Sequence, residues 1–150
     1  MRDKLFLCYS HEDKTWFDQV HSHLKPLQLT GIDIWSDEKI RASSLWRDEI
    51  DKALSSAKVA IALVSPAFIG SEFITTKELP TLLLAHKNQG LTFLPILVRP
   101  VKKKQLEKLD LEKFQFPYDI NTSLSEMDSA KQDRVLNEVL EVAEEAFQNP

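Results

Sequence analysis

The run Lys58–Ser65, KVAIALVS, constrains this chain more than any other feature, because its apolar residues are consecutive rather than alternate. A strand with one wetted face alternates apolar and polar side chains. A strand apolar on both faces belongs in the middle of a parallel sheet, with helices above and below it.

The neighbouring segments agree with that placement. Lys4–Ser10 (KLFLCYS), Ile32–Trp35 and Leu91–Val98 (LTFLPILV) are further short apolar runs. Pro95 removes one ladder donor from the last of them, which favours a sheet edge or a bulge. Between the strands lies helical spacing. In His11–Leu27, Trp16, Phe17, Val20, Leu24 and Leu27 share a face, and Asp13 is placed to cap the start. In Leu45–Ala57, Leu45, Ile50, Ala53, Leu54 and Ala57 point inward. The stretch after Ser65 is a loop leading into a helix that stops at Gly90; Pro80 requires that helix to start near Glu78 or to kink there. A short helix is expected over Lys103–Leu109 and a small fifth strand at Phe114–Phe116. Ser129–Phe147 is amphipathic, with Val135, Leu136, Val139, Val142, Ala143 and Ala146 toward the core. Alternation of strands and helices implies right-handed crossovers. The fold expected is therefore α/β: a flavodoxin-like three-layer sandwich with a central parallel five-stranded sheet, forming one domain over 1–150.

In such sheets ligands bind outside the carboxyl ends of the strands, near the point where strand order reverses. Three loops qualify: Ser10–Asp13, Ser36–Ser44 and Ser65–Glu78. Composition narrows what they can do. Glycine occurs only at 31, 70 and 90, so neither a G-x-G-x-x-G nor a Walker A loop is present. The formal net charge of -4 speaks against a general nucleic-acid binder. The one cysteine, Cys8, lies in an apolar run and reads as a buried inert thiol. No apolar run is long enough to span a bilayer, and MRDKLFL lacks signal-peptide organisation, so cytoplasm is the expected location. His21 and His23 are two apart on a helix and point to different faces, so no metal site is expected there. His86 reads as a surface or helix-end residue and Lys102–Lys104 as a solvated charge run, with phosphate contact the lesser alternative. A phospho-receiver of this fold class needs an aspartate at the end of the middle strand, and this strand ends in Ser65.

The loops also carry a pattern. KLFLCYSHED resembles the first box of TIR (Toll/interleukin-1 receptor) domains. DIWSDEKIRASSLWRDEIDKALSSAKVAIALVSPAF resembles their second box and BB loop, with Asp37, Ile40, Ser43, Trp46, Glu49–Ile50, Ala53–Leu54 and Ser65–Pro66 at the family's places. SEFITTKELPTLL resembles the bacterial segment bearing the family's catalytic glutamate, which falls on Glu78. The BB-loop glycine is replaced by Ser43, and the W-C pair before the glutamate by Phe73–Ile74.

This resemblance implies a bacterial TIR domain that cleaves NAD+ at the nicotinamide–ribose bond with Glu78. The products are nicotinamide and ADP-ribose or a cyclic isomer. NAD+ is the substrate and no cofactor is required. The chemistry suits a lone carboxylate: glycosidases use two carboxyl groups because one must protonate the leaving oxygen, but a pyridinium departs neutral. The resemblance also implies substrate contacts from Ser10, His11, Trp35, Asp37, Ser43, Trp46 and Phe73. Most have a plainer alternative. Trp35, Trp46 and Phe73 can be packing residues, Asp37 fits a loop-shaping role better than catalysis, and capping competes at the Ser10–Asp13 turn. Homotypic TIR–TIR assembly, a sensor domain or partner protein, and an antiphage pathway are implied in the same way. A non-catalytic TIR–TIR interaction module in signalling is the alternative function, and the chain is expected to be a fragment of a larger protein or to work with a partner.

Overall fold

The computed structural model describes residues 2–36, 46–114 and 122–148, with the backbone alone at Trp46 and Arg47. Within them the sheet has four strands: β1 (Lys4–Cys8), β2 (Ile34–Ser36), β3 (Ala57–Val64) and β4 (Thr92–Leu97). All pairings are parallel and the order is β2-β1-β3-β4. The helices are α1 (Lys14–His23), α2 (Lys25–Leu29), α3 (Trp46–Ser56), α4 (Pro66–Ile69), α5 (Leu79–Asn88), α6 (Lys103–Lys108) and α7 (Ser129–Gln148).

Side chains of the two central strands leave alternately to two apolar layers. Leu5, Leu7, Val59, Ile61 and Leu63 meet Val20, Leu24 and Leu27 of α1 and α2, with Val135, Leu136, Val139 and Ala143 of α7. Phe6, Cys8, Ala60, Ala62 and Val64 meet Ile50, Ala53 and Leu54 of α3 and Leu79, Leu82 and Ala85 of α5. Ala60 lies in register between Phe6 and Phe93, so a small side chain on β3 leaves room for the two rings beside it. This is the three-layer arrangement implied by KVAIALVS. Val98 donates to the Val64 carbonyl, so by the two-residue period Pro95 faces away from β3, on the outer side of the described sheet.

Several expectations are corrected. The helix expected over His11–Leu27 is a 3-10 turn (His11–Asp13) followed by α1 and α2. Pro26 lies in the first turn of α2, where its missing N–H is not needed. Asp13 does not cap α1, because its carboxylate is engaged elsewhere. Val142 lies at the margin of the buried stripe of α7 and is 38% exposed. Phe114 belongs to no strand: its ring packs 4.8 Å from that of Phe93 and 5.1 Å from that of His86. The rest of the expected fifth strand lies outside the described residues. Glycine is required at Gly31 and Gly90, which close α2 and α5 with φ of 95° and 75°.

Two polar anchors hold the ends of the fold. Arg2 Nη1 donates to the carbonyls of Leu54 and Ala57 at 3.0 and 2.7 Å, satisfying acceptors at the carboxyl end of α3. Glu126 accepts from the Ser123 amide (2.9 Å) and hydroxyl (2.8 Å), and these donors hold its carboxyl below the usual glutamate range.

Candidate active site

The chain leaves β1 toward the layer of α1 and α7, and leaves β3 toward the layer of α3 and α5. Strand order therefore reverses between β1 and β3, and the crevice at their carboxyl ends is where this fold accepts ligands. One side of the crevice is the turn Ser10–Asp13. The other begins at Ser65.

Ser65 is fully buried and caps α4, accepting the Phe68 N–H at 3.0 Å. Its hydroxyl donates across the crevice to Asp13 Oδ2, and Asp13 is itself buried. Residues 74–78 then form a π-turn in which the Leu79 N–H reaches back to the Ile74 carbonyl. Pro80 makes this wide turn inexpensive: it has no N–H to place on Thr76, so the α-helical bond forfeited there does not exist. Core packing fixes the turn from both sides, through Ile74 and Leu79. Lys77 pairs with Asp51 of α3 at 3.0 Å, holding the turn beside that helix. Such π-bulges recur at functional sites because they re-aim one side chain. Here Glu78, the last residue of the turn, is 0% exposed.

The other expected site residues are distributed as follows. Ser10 is buried and accepts the Glu12 N–H at 3.3 Å, so it caps the turn after β1. His11 is exposed, its ring 6.0 Å from that of Tyr9. Phe73 is half-buried against the α3–α5 layer, directly before the π-turn. Trp35 packs on the same layer and lines a cleft of about 370 Å³ with Lys4, Glu49, Lys52, Ala53 and Ser56. Lys4 begins β1 and Ser56 ends α3, so that cleft lies on the amino-terminal flank of the sheet; Glu78 is not among its lining residues. Asp37 and Ser43 lie outside the described residues, and only the backbone of Trp46 is described, at the start of α3. His21 stacks on Phe17 while His23 meets Asp133 and the Gln19 carbonyl, so the two rings serve different neighbours.

Sequence reasoning missed the Asp13–Ser65 link and the π-turn. The first had a signal: Ser65 directly follows β3 and Asp13 closes the turn after β1, and the two strands are adjacent. The second was half visible, in a proline two residues beyond the glutamate.

Comparison with known proteins gives a consistent result. The TIR domain family model matches residues 5–135. Among curated proteins, the 2' cyclic ADP-D-ribose synthase BtTIR of Bacteroides thetaiotaomicron is 29% identical over 102 residues, 67% of this chain and 34% of that protein. The 2' cyclic ADP-D-ribose synthase AbTIR of Acinetobacter baumannii is 30% identical over 104 residues, 69% of this chain and 38% of that protein. The match thus spans well under half the length of either relative. Among solved structures, the TIR domain of the Toll-related receptor TRR-2 of Hydra magnipapillata superposes with a TM-score of 0.52 at 21% identity, covering 77% of this chain and 82% of that one. The TIR domains of the activated Roq1 resistosome, which directly recognises the pathogen effector XopQ, give 0.55 at 21% identity, covering 93% and 84%. The order of the described strands, the boxes that end them and the match over most of its length make this chain a member of the TIR domain family.

Proposed function

We propose that this TIR domain breaks the nicotinamide–ribose bond of NAD+, with Glu78 as the carboxylate beside the reacting sugar. The observation that carries this reading is a fully buried glutamate on a π-turn beyond β3. Burying a carboxylate is costly, and distorted helical turns concentrate at working sites, so the combination favours chemistry over structure. The two bacterial relatives, both 2' cyclic ADP-D-ribose synthases, support the reaction class.

In this reaction the bond from the ribose anomeric carbon to the pyridinium nitrogen breaks. Its electron pair goes to the ring, and neutral nicotinamide leaves without a proton donor. The Glu78 carboxylate faces the oxocarbenium-like charge and accepts hydrogen bonds from ribose hydroxyls. Attack by water then gives ADP-ribose and a proton. Attack by a hydroxyl of the same molecule gives a cyclic isomer and a proton, and the relatives' names favour this second course. Ser10 and His11 approach from the end of β1. Trp35, Asp37, Ser43, Trp46 and Phe73 are the remaining proposed contacts, with the cleft at Trp35 favouring packing for that ring.

A side chain with no exposed surface meets a ligand only after its cover shifts. Self-association of TIR domains, or docking of a sensor domain or partner protein, is the proposed trigger. The proposed setting is the bacterial cytoplasm, in antiphage defence. No described helix is long and apolar enough to cross a membrane.

The test incubates the protein with NAD+, concentrated or clustered on beads, and follows nicotinamide by chromatography and the products by mass. Glu78→Gln is expected to lower release by roughly a hundredfold or more. Undiminished release in that variant would remove Glu78 from the mechanism. Assembly with no turnover under any clustering condition would instead favour the non-catalytic interaction module.

A further inference from the structure

We infer that Asp13 is a positioning residue for the Glu78 turn, acting through the hydroxyl of Ser65; this rests on the reading of Glu78 given above. Asp13 stands at the start of α1, where an aspartate ordinarily caps the helix. It makes no such bond. Asp13 is 4% exposed, and its carboxylate turns across the switch-point crevice to accept a hydrogen bond from the Ser65 hydroxyl. A buried carboxylate that forgoes its local helix is performing a tertiary task.

Ser65 has one proton and two lone pairs. Donating the proton to Asp13 leaves a lone pair for the Phe68 N–H, so the acceptor across the crevice fixes the rotamer that caps α4. The fixed end is then handed along the chain. Phe68 is buried in the α3–α5 layer. The Gly70 N–H returns to the Pro66 carbonyl, and a side chain at Gly70 would meet that oxygen at 3.3 Å. Ser71 accepts the Ile74 N–H at 3.3 Å through its hydroxyl and the Thr75 N–H at 3.0 Å through its carbonyl. From Ser65 to the π-turn, each segment hangs on the one before it.

Asp13 works in the other direction too. Its own N–H closes the turn onto the Ser10 carbonyl at 2.8 Å. One residue therefore sets the turn bearing Ser10 and His11 relative to the segment bearing Glu78. Asp13 touches no substrate in this scheme; it holds the two walls of the site in register.

The test uses the full chain under the clustering conditions above, with Asp13→Ala, Asp13→Asn, Ser65→Ala and the Asp13→Ala/Ser65→Ala double variant. A misplacement of about 1 Å at a reacting group costs up to roughly a hundredfold in rate. Asp13→Ala and Ser65→Ala should each lower kcat by about ten- to a hundredfold while KM moves by less than about threefold. The double variant should be no worse than either single one, because both cut the same link. Asp13→Asn, which keeps an acceptor oxygen, should recover most of the loss. Hydrogen exchange should quicken over residues 68–79 and stay unchanged in α7. If Asp13→Ala does not fold, Asp13→Asn and Ser65→Ala carry the same comparison. Unchanged exchange over 68–79, additive losses, or a loss wholly in KM would overturn the proposal. Exchange does not depend on turnover, so a Glu78→Gln variant that still releases nicotinamide would remove the proposed function while the exchange result still decides whether Asp13 positions the turn.

Discussion

Replacing Pro80 with alanine asks whether proline or packing imposes the π-turn. The substitution supplies an N–H that could bond the Thr76 carbonyl and convert the turn to ordinary α-helix. That bond is worth about 0.5–1.5 kcal/mol. Loss of proline's restriction on the unfolded chain costs about 0.4–1 kcal/mol, so these terms nearly cancel. Healing the turn has a larger consequence. Removing one residue of bulge rotates the chain on one side by about 100° relative to the other. Ile74 and Leu79, 2% and 1% exposed, sit on either side of that rotation, and one of them must leave the core. Withdrawing such a side chain costs about 1.5–3 kcal/mol, more if a cavity remains. Packing therefore wins. Pro80→Ala should keep the π-turn, unfold in urea within about 1 kcal/mol of the parent, and retain the proposed Glu78-dependent nicotinamide release to within a few-fold. A gain above about 2 kcal/mol together with lost release would show that proline held the turn open against the core, and would refute the reasoning.

Two predictions concern the anchors. The Glu126 carboxyl is held below its ordinary value, so its contribution is present above the unfolded-state value near 4.5 and is lost as pH falls through the lower folded-state value. Glu126→Gln should flatten the fall in urea midpoint below about pH 4.5; profiles that stay parallel to the parent's would count against this. Arg2→Ala should cost about 1 kcal/mol and speed amide exchange in the last turn of α3, and an unchanged exchange pattern there would exclude the capping role.

The layered fold was legible because it depends on pattern. Consecutive apolar residues in β3 and a one-sided stripe in α7 are local statements about which faces are covered, and the structure repeats them. Glu78 was singled out by its setting between a central strand and a proline, and the structure shows it buried at the end of a π-turn. What sequence could not supply was the partner of each polar group. Asp13 has a good local use as a cap and a better distant one on Ser65, and only adjacency of β1 and β3 decides between them. Trp35 raised the same difficulty: an aromatic at the end of a strand can face a ligand or a helix, and here α3 flanks it. Pro26 marks the break between α1 and α2, which the continuous apolar spacing of His11–Leu27 conceals.

The chain's only thiol lies at the end of β1, in the middle of the described sheet, with no exposed surface. A sulfhydryl reagent can attack it only when that central region comes apart. A shift of the proposed cover over Glu78 that spares the sheet would leave it shielded, while global unfolding exposes it. This single sulfur is thus a natural gauge that tells gating of the site apart from loss of the molecule's architecture.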